Sequence, residues 1–258
     1  MRRILTTIGL AGLAWAIAAP AVAQTDFEWT GQLAPGQSIE IIGVNGSIHA
    51  APARGGSISV TAIKSARRSN PAEVRFETVP HAGGVTVCAV YPAPAGSAPN
   101  ECRPGGRGRN NTKDNDTSVE FTVQVPAGVK LVARTVNGSI DANGLMSDAD
   151  AATVTGSITV ATSGSARATT VNGAIKAAMG QAPNGGKFAT VNGEVTLQLP
   201  ASTNADVRVS TVSGDIRSDF PLQIDTEPGP KHASGVIGGG GNALDISTVN
   251  GGVTLQRR

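Results

Sequence analysis

Four carboxylates, Asp141, Glu194, Asp215 and Asp245, have the greatest capacity for chemistry in this chain of 258 residues. Two carboxylates flanking a groove can divide the acid and base roles of glycosidic hydrolysis. Here no pair is marked by its spacing, and aromatic platforms for sugar rings are scarce. Only Phe188 and Phe220 lie in the second half of the chain. The histidines, His49, His81 and His232, stand apart from one another without metal-ligand spacing. There is no Gly-x-Ser-x-Gly elbow and no phosphate-binding loop. The run Gly238–Gly241 occurs once and lacks the aspartate that follows the glycines in calcium-binding β-roll repeats. It reads as a tight turn. No catalytic, cofactor-binding or metal-binding set is therefore expected.

Two cysteines, Cys88 and Cys102, are the next chemical pair. An even count in an exported chain reads as one disulfide, here closing a loop rich in proline and glycine. Cys102–Thr117 continues as a polar loop carrying Arg103, Arg107, Arg109 and Lys113. Asp114 and Asp116 sit beside these bases and no aromatic interleaves them, so a solvated loop is expected rather than a nucleic-acid surface. Four Asn-x-Ser/Thr sites, at Asn45, Asn110, Asn115 and Asn137, match the glycosylation pattern, and two coincide with a structural motif.

That motif organises the chain. Seven copies run through it: Gly43–Ala50, Thr135–Ala142, Thr153–Val160, Thr170–Ala177, Thr190–Leu197, Thr211–Ser218 and Thr248–Leu255. Four read Thr-Val-Asn-Gly. Repetition at nearly constant spacing marks stacked structural units, which build shape and surface. Asn-Gly is a strong hairpin signal, yet it also suits a corner where a solenoid bends. Thr155 and Ser213 replace Asn in two copies, which a tight hairpin resists. The corner reading is preferred, with Asn137, Gly138, Gly156, Asn172, Gly173, Asn192, Gly193, Gly214, Asn250 and Gly251 at the bends. In a stack, Asn137, Asn172, Asn192 and Asn250 would either form an amide ladder or bond their own backbone. Within the copy at Thr135, alternation puts Val136, Gly138, Ile140 and Ala142 on the packed side. Thr135, Asn137, Ser139 and Asp141 then face water. The wide gap between Gly214 and Gly251 suggests a degenerate coil around Ser234–Gly241.

These signals give an all-β fold: a β-solenoid, a parallel β-helix-like stack of short coils, with a less regular N-terminal β region. The division expected is 1–23, 24–125 and 126–258. The first segment reads as a secretory leader. It has Arg2 and Arg3, an apolar run from Ile4 to Ala19, and the small-x-small site Ala21-Val22-Ala23. Cleavage after Ala23 would deliver the chain to the periplasm or beyond, with no transmembrane segment in the mature part. The second segment holds the disulfide and the exposed loop and covers one end of the stack. The third is the regular array. The chain has 21 Lys and Arg, two of them in the leader, against 19 Asp and Glu. The mature chain is thus close to neutral, which does not favour nucleic acid or an anionic membrane as partner.

The repeated Thr-Val-Asn-Gly-x-Ile and the ending Ile237–Leu255 (IGGGGNALDISTVNGGVTL) resemble the exported putative-adhesin family with β-strand repeats, which carries a domain of unknown function. The likeness is clearest from Val119 onward. It implies a β-solenoid-like exported protein and brings no catalytic residues. The expected function is a non-catalytic binding or scaffold protein at the cell envelope, meeting a protein or glycan. Ser139, Asp141, Lys176, Glu194, Asp215 and Arg217 are the candidate contacts. The alternatives are a β-helical polysaccharide-active enzyme and a purely structural envelope component.

Overall fold

The computed structural model describes residues 26–180, 185–225, 227 and 229–258. The expected leader and its cleavage site lie outside the described residues.

The chain is a stack of seven coils, one for each motif copy. Each coil supplies one strand to an eleven-stranded sheet, turns at the motif, and supplies the next strand to a ten-stranded sheet. The coils run Ser38–Ile42 with Ile48–Pro52, Lys130–Arg134 with Ile140–Leu145, and Ala149–Ala152 with Ile158–Thr162. Ala166–Thr169 with Ile175–Met179, and Gly186–Ala189 with Val195–Leu199, follow as the fourth and fifth. Ala243–Asn250 with Val253–Arg257 is the sixth in space, and Ala205–Ser213 with Ile216–Ser218 the seventh. All pairings between successive coils are parallel. The Asn-Gly positions are corners, not hairpins.

Like residues sit over like because the register repeats. Ile48, Ile140, Ile158, Ile175, Val195, Val253 and Ile216 form one buried column. Neighbouring coils lie ~4.8 Å apart. A single coil has too little apolar side chain to offset the ordering of its backbone, so burial is shared along the stack.

The motif glycines are required by close approach. A Cβ on Gly193 would stand 2.0 Å from the carbonyl oxygen of Gly173, and Gly138, Gly156, Gly173, Gly251 and Gly214 meet the neighbouring corner at 2.0–2.1 Å in the same way. No side chain fits there.

One face assignment is corrected. The motif threonines are buried and the valines after them exposed: Thr135 is 5 % exposed and Val136 40 %. A continuous extended strand would put the motif's Thr and Ile, five residues apart, on opposite faces. The bend at Asn-Gly breaks the alternation by one, so both point inward. The buried hydroxyl is satisfied, because each donates to a neighbouring motif-glycine carbonyl. Thr170 Oγ1 reaches Gly156 O at 3.0 Å, Thr190 reaches Gly173 O at 3.0 Å, and Thr248 reaches Gly193 O at 2.9 Å.

A second correction concerns Ser234–Gly241. It is not a degenerate coil. Lys231–Ile237 runs antiparallel to Ala205–Ser213 and closes that end of the eleven-stranded sheet, with Gln223–Ile224 beyond it. After Gly238–Gly241 the chain turns back and places its next coil between the fifth and the seventh. Spatial order therefore departs from chain order, which is why the last motif spacing is so wide.

At the opposite end, Gly84–Val90 and Ser118–Val125 pair in parallel with the first coil. The segment joining them replaces the usual corner with a long loop tied by the Cys88–Cys102 disulfide. Beyond these strands, Arg75–His81 and Ile58–Ser65 pair antiparallel, followed by Phe27–Gly31. Antiparallel strands thus cover the parallel stack and remove a long open edge that would invite further pairing.

Candidate functional surface

The outer face of the ten-stranded sheet is built by alternation. In each coil the residue before the buried Ile or Val, and the residue after it, point outward. The register aligns these positions into rows. One row runs Asp141, Thr159, Lys176, Thr196, Thr254 and Arg217. His49 extends it at the first coil, with Nδ1 3.6 Å from Asp141 Oδ2. The adjoining row contains Ser139, Ser157, Glu194 and Asp215, aligned by the backbone bonds of the following residues. The six candidate contacts therefore share one face: Asp141, Lys176 and Arg217 in one row, Ser139, Glu194 and Asp215 in the next.

Sequence reasoning passed over the threonines. Thr159, Thr196 and Thr254 occupy the same motif position and place hydroxyls between the charges. Their signal was the recurrence of Thr directly after the buried Ile or Val, three residues past the motif glycine. Gln198 and Gln256 add an amide pair along the same face, Nε2 to Oε1 at 3.0 Å.

The electrostatics are mixed. Asp215 accepts a hydrogen bond from Lys231 Nζ at 2.5 Å, and that bond, the lysine's charge and nearby Arg217 hold its carboxyl below the usual aspartate range. A carboxyl held ionised in this way is poorly suited to serve as a general acid, which needs a raised pKa. Asp245 lies on the other sheet, 3.7 Å from Arg208. The structure therefore does not bring the four carboxylates together. Glu194 and Asp215 share a row, two coils apart. Among the described residues no cluster of three or more His, Cys, Asp and Glu could hold a metal ion. No described helix is long and apolar enough to cross a membrane.

The corner between the sheets carries an amide ladder. Asn137 Nδ2 donates to Asn45 Oδ1 at 2.9 Å, Asn192 to Asn172 at 2.7 Å, and Asn250 to Asn192 at 2.7 Å. Thr155 interrupts it between Asn137 and Asn172.

The disulfide loop is pinned from beneath. The Tyr91 hydroxyl donates to Thr117 O at 2.8 Å, and burial pushes its pKa up to about 12 against a smaller opposing effect of its bond to Asn45. Buried Glu40 accepts from the Gly105 N–H and from Thr86 Oγ1, both at 2.8 Å, and faces Arg134 Nε at 3.4 Å. Of the basic loop residues, Arg103 pairs with Glu101 at 3.0 Å and Lys113 with Asp114 at 4.0 Å.

Residues 111–256 match the model of the Toastrack DUF4097 family. No curated protein is significantly similar to the chain. Two solved structures share a remote likeness. A putative cell adhesion protein from Clostridium sporogenes is 11 % identical, with 91 % of this chain and 100 % of its own covered and a TM-score of 0.41. A putative adhesin from Bacteroides fragilis is 10 % identical, with 90 % and 96 % covered and a TM-score of 0.32. Likeness at that level bears on neither site nor function. The match to residues 111–256 spans more than half of the chain, which belongs to the Toastrack DUF4097 family, a family defined by a domain of unknown function.

Proposed function

We propose that this is an exported, non-catalytic binding or scaffold protein of the adhesin type. It meets a protein or glycan at the cell envelope through the outer face of the ten-stranded sheet. The observation that carries the reading is the alignment of Ser139, Asp141, Lys176, Glu194, Asp215 and Arg217 in two adjoining rows of that face. Hydroxyls and charges of both signs repeat there at ~4.8 Å intervals, a pattern that suits many weak polar contacts to a long, near-neutral partner. The Cys88–Cys102 disulfide supports an oxidising compartment. In this reading residues 1–23 are a leader removed after Ala23, residues 24–125 include the cap, and residues 126–258 present the working surface.

The test is capture from envelope extracts and on immobilised glycans, with the oxidised mature protein and with Lys176→Glu/Arg217→Glu. Binding by the parent and at least a tenfold loss in the variant is expected. Absence of any partner on either platform overturns the reading. So does glycan cleavage that disappears in Glu194→Gln or Asp215→Asn, which would make the protein an enzyme.

A further inference from the structure

Six of the ten large hydrophobic side chains exposed among the described residues fall in one line: Val136, Val154, Val171, Val191, Val249 and Val212. Each follows the buried motif threonine. They occupy successive coils from the second to the seventh, each 38–56 % exposed. In the first coil the equivalent Val44 is only 7 % exposed, beside Asn45, where the Tyr91 hydroxyl bonds the backbone. The valines form a ridge at the corner between the two sheets.

The flanks of the ridge are uncharged along most of its length. On one side, from the third coil onward, lie small residues such as Ala152, Thr169 and Ser247. On the other lies the asparagine row with Thr155 and Ser213. The charges described above stand further out, on the sheet faces. An apolar row of this length, rimmed by polar residues, marks a contact surface on a protein of this kind. From its third coil to its sixth this ridge has no charge beside it; at the seventh, Lys231 pairs in register with Thr211 and its Nζ meets Asp215 Oδ1.

We propose that the valine ridge is the contact through which two copies of this chain associate, ridge against ridge about a twofold axis. The pitch selects the occupant. The valines repeat at ~4.8 Å over ~24 Å, a spacing set by strand pairing. An irregular surface meets one or two of them. A second copy carries the same row at the same pitch, so every valine finds a gap between two others. Identical uncharged rows also lack the repulsion that usually keeps copies apart. The ridge is a single row ~24 Å long, so the contact is small, at or below the lower end of specific interfaces. The dimer is accordingly weak and reversible. Pairing at the corner leaves the outer face of the ten-stranded sheet free and presents it twice, which strengthens attachment to any repeating partner. The inference stands independently of what that face binds.

Sedimentation velocity of the oxidised mature protein, from about 1 µM to about 500 µM, tests it. The parent is expected to pass from monomer to dimer across that range. Val171→Glu/Val191→Glu is expected to stay monomeric with an unchanged thermal midpoint, since both sites are exposed. Thr196→Glu, on the neighbouring face, should dimerise like the parent. A parent that remains monomeric at the highest concentration overturns the proposal, as does a Val171→Glu/Val191→Glu variant that dimerises normally. If that variant fails to fold, Val171→Cys and Val191→Cys proteins are mixed and mildly oxidised. Cross-links between copies are then required, and their absence overturns the proposal equally.

Discussion

Replacing Gly193 with alanine probes the stack at its tightest point. The new Cβ would lie 2.0 Å from the carbonyl oxygen of Gly173 and 2.6 Å from its carbon. Carbon atoms in ordinary contact stand about 3.5–4.0 Å apart. The fifth coil must therefore withdraw from the fourth by roughly 1 Å or more at the corner. Three bonds join the fourth and fifth coils at that corner: Gly173 N–H to Asn192 O at 3.0 Å, Asn192 N–H to Val171 O at 2.8 Å, and Thr190 Oγ1 to Gly173 O at 3.0 Å. Loss of one or two of them costs about 1 kcal/mol each. Overpacking strain adds about 1–3 kcal/mol. The expected destabilisation is about 2–5 kcal/mol, large for a single methyl group. Urea unfolding followed by far-ultraviolet circular dichroism measures it. Gly55→Ala is the control, because its added Cβ meets nothing within 4 Å; it should be neutral or stabilising by up to about 1 kcal/mol. A Gly193→Ala protein within about 1 kcal/mol of the parent would refute the close-approach argument, because the corner would then have room that the stacked geometry denies it.

Thr170→Val keeps the buried shape but removes the donor to Gly156 O, and should cost about 1 kcal/mol in the same assay. Removing the disulfide as Cys88→Ala/Cys102→Ala opens a loop of sequence separation 14 and should cost about 3 kcal/mol, read as a lower thermal midpoint. Burial pushes the Tyr91 hydroxyl up to a pKa of about 12, above the ordinary tyrosine value of about 10. The unfolded chain loses this proton first as pH rises, so its contribution is intact below pH 10 and fades between pH 10 and 12. Tyr91→Phe should remove the part of the alkaline stability loss that falls in that window, which pH-dependent urea titration would show.

The array was legible because its unit recurs. Seven copies of one motif announced seven coils, the further coil expected around Ser234–Gly241 being an antiparallel strand instead, and Thr155 and Ser213 argued for the corners that the parallel pairings show. The disulfide followed from two cysteines read behind an expected secretory leader. What was hidden lay in non-local geometry. Nothing local says that Thr135 turns inward and Val136 outward, because the offset arises from a bend that alternation rules do not count. The threonine hydroxyl finds its acceptor only once another coil is in place. Lys231–Ile237 looks like any other strand, and only its neighbour decides whether it runs parallel or antiparallel. The rows on the outer face were half visible: charged members such as Lys176 drew attention, while Thr159, Thr196 and Thr254 passed as ordinary strand residues.

The returning coil, Ala243–Arg257, has a consequence for assembly order. A sequential stack can zip from one end as the polypeptide is delivered. Here residues 205–218 take a place one position too far, leaving a slot that a later segment must fill. Until it arrives, the backbone donors and acceptors on both walls of the slot have no mate. The layers contributed by residues 205–218 and 243–257 therefore share their hydrogen bonds and form as one unit, like the last stones of an arch.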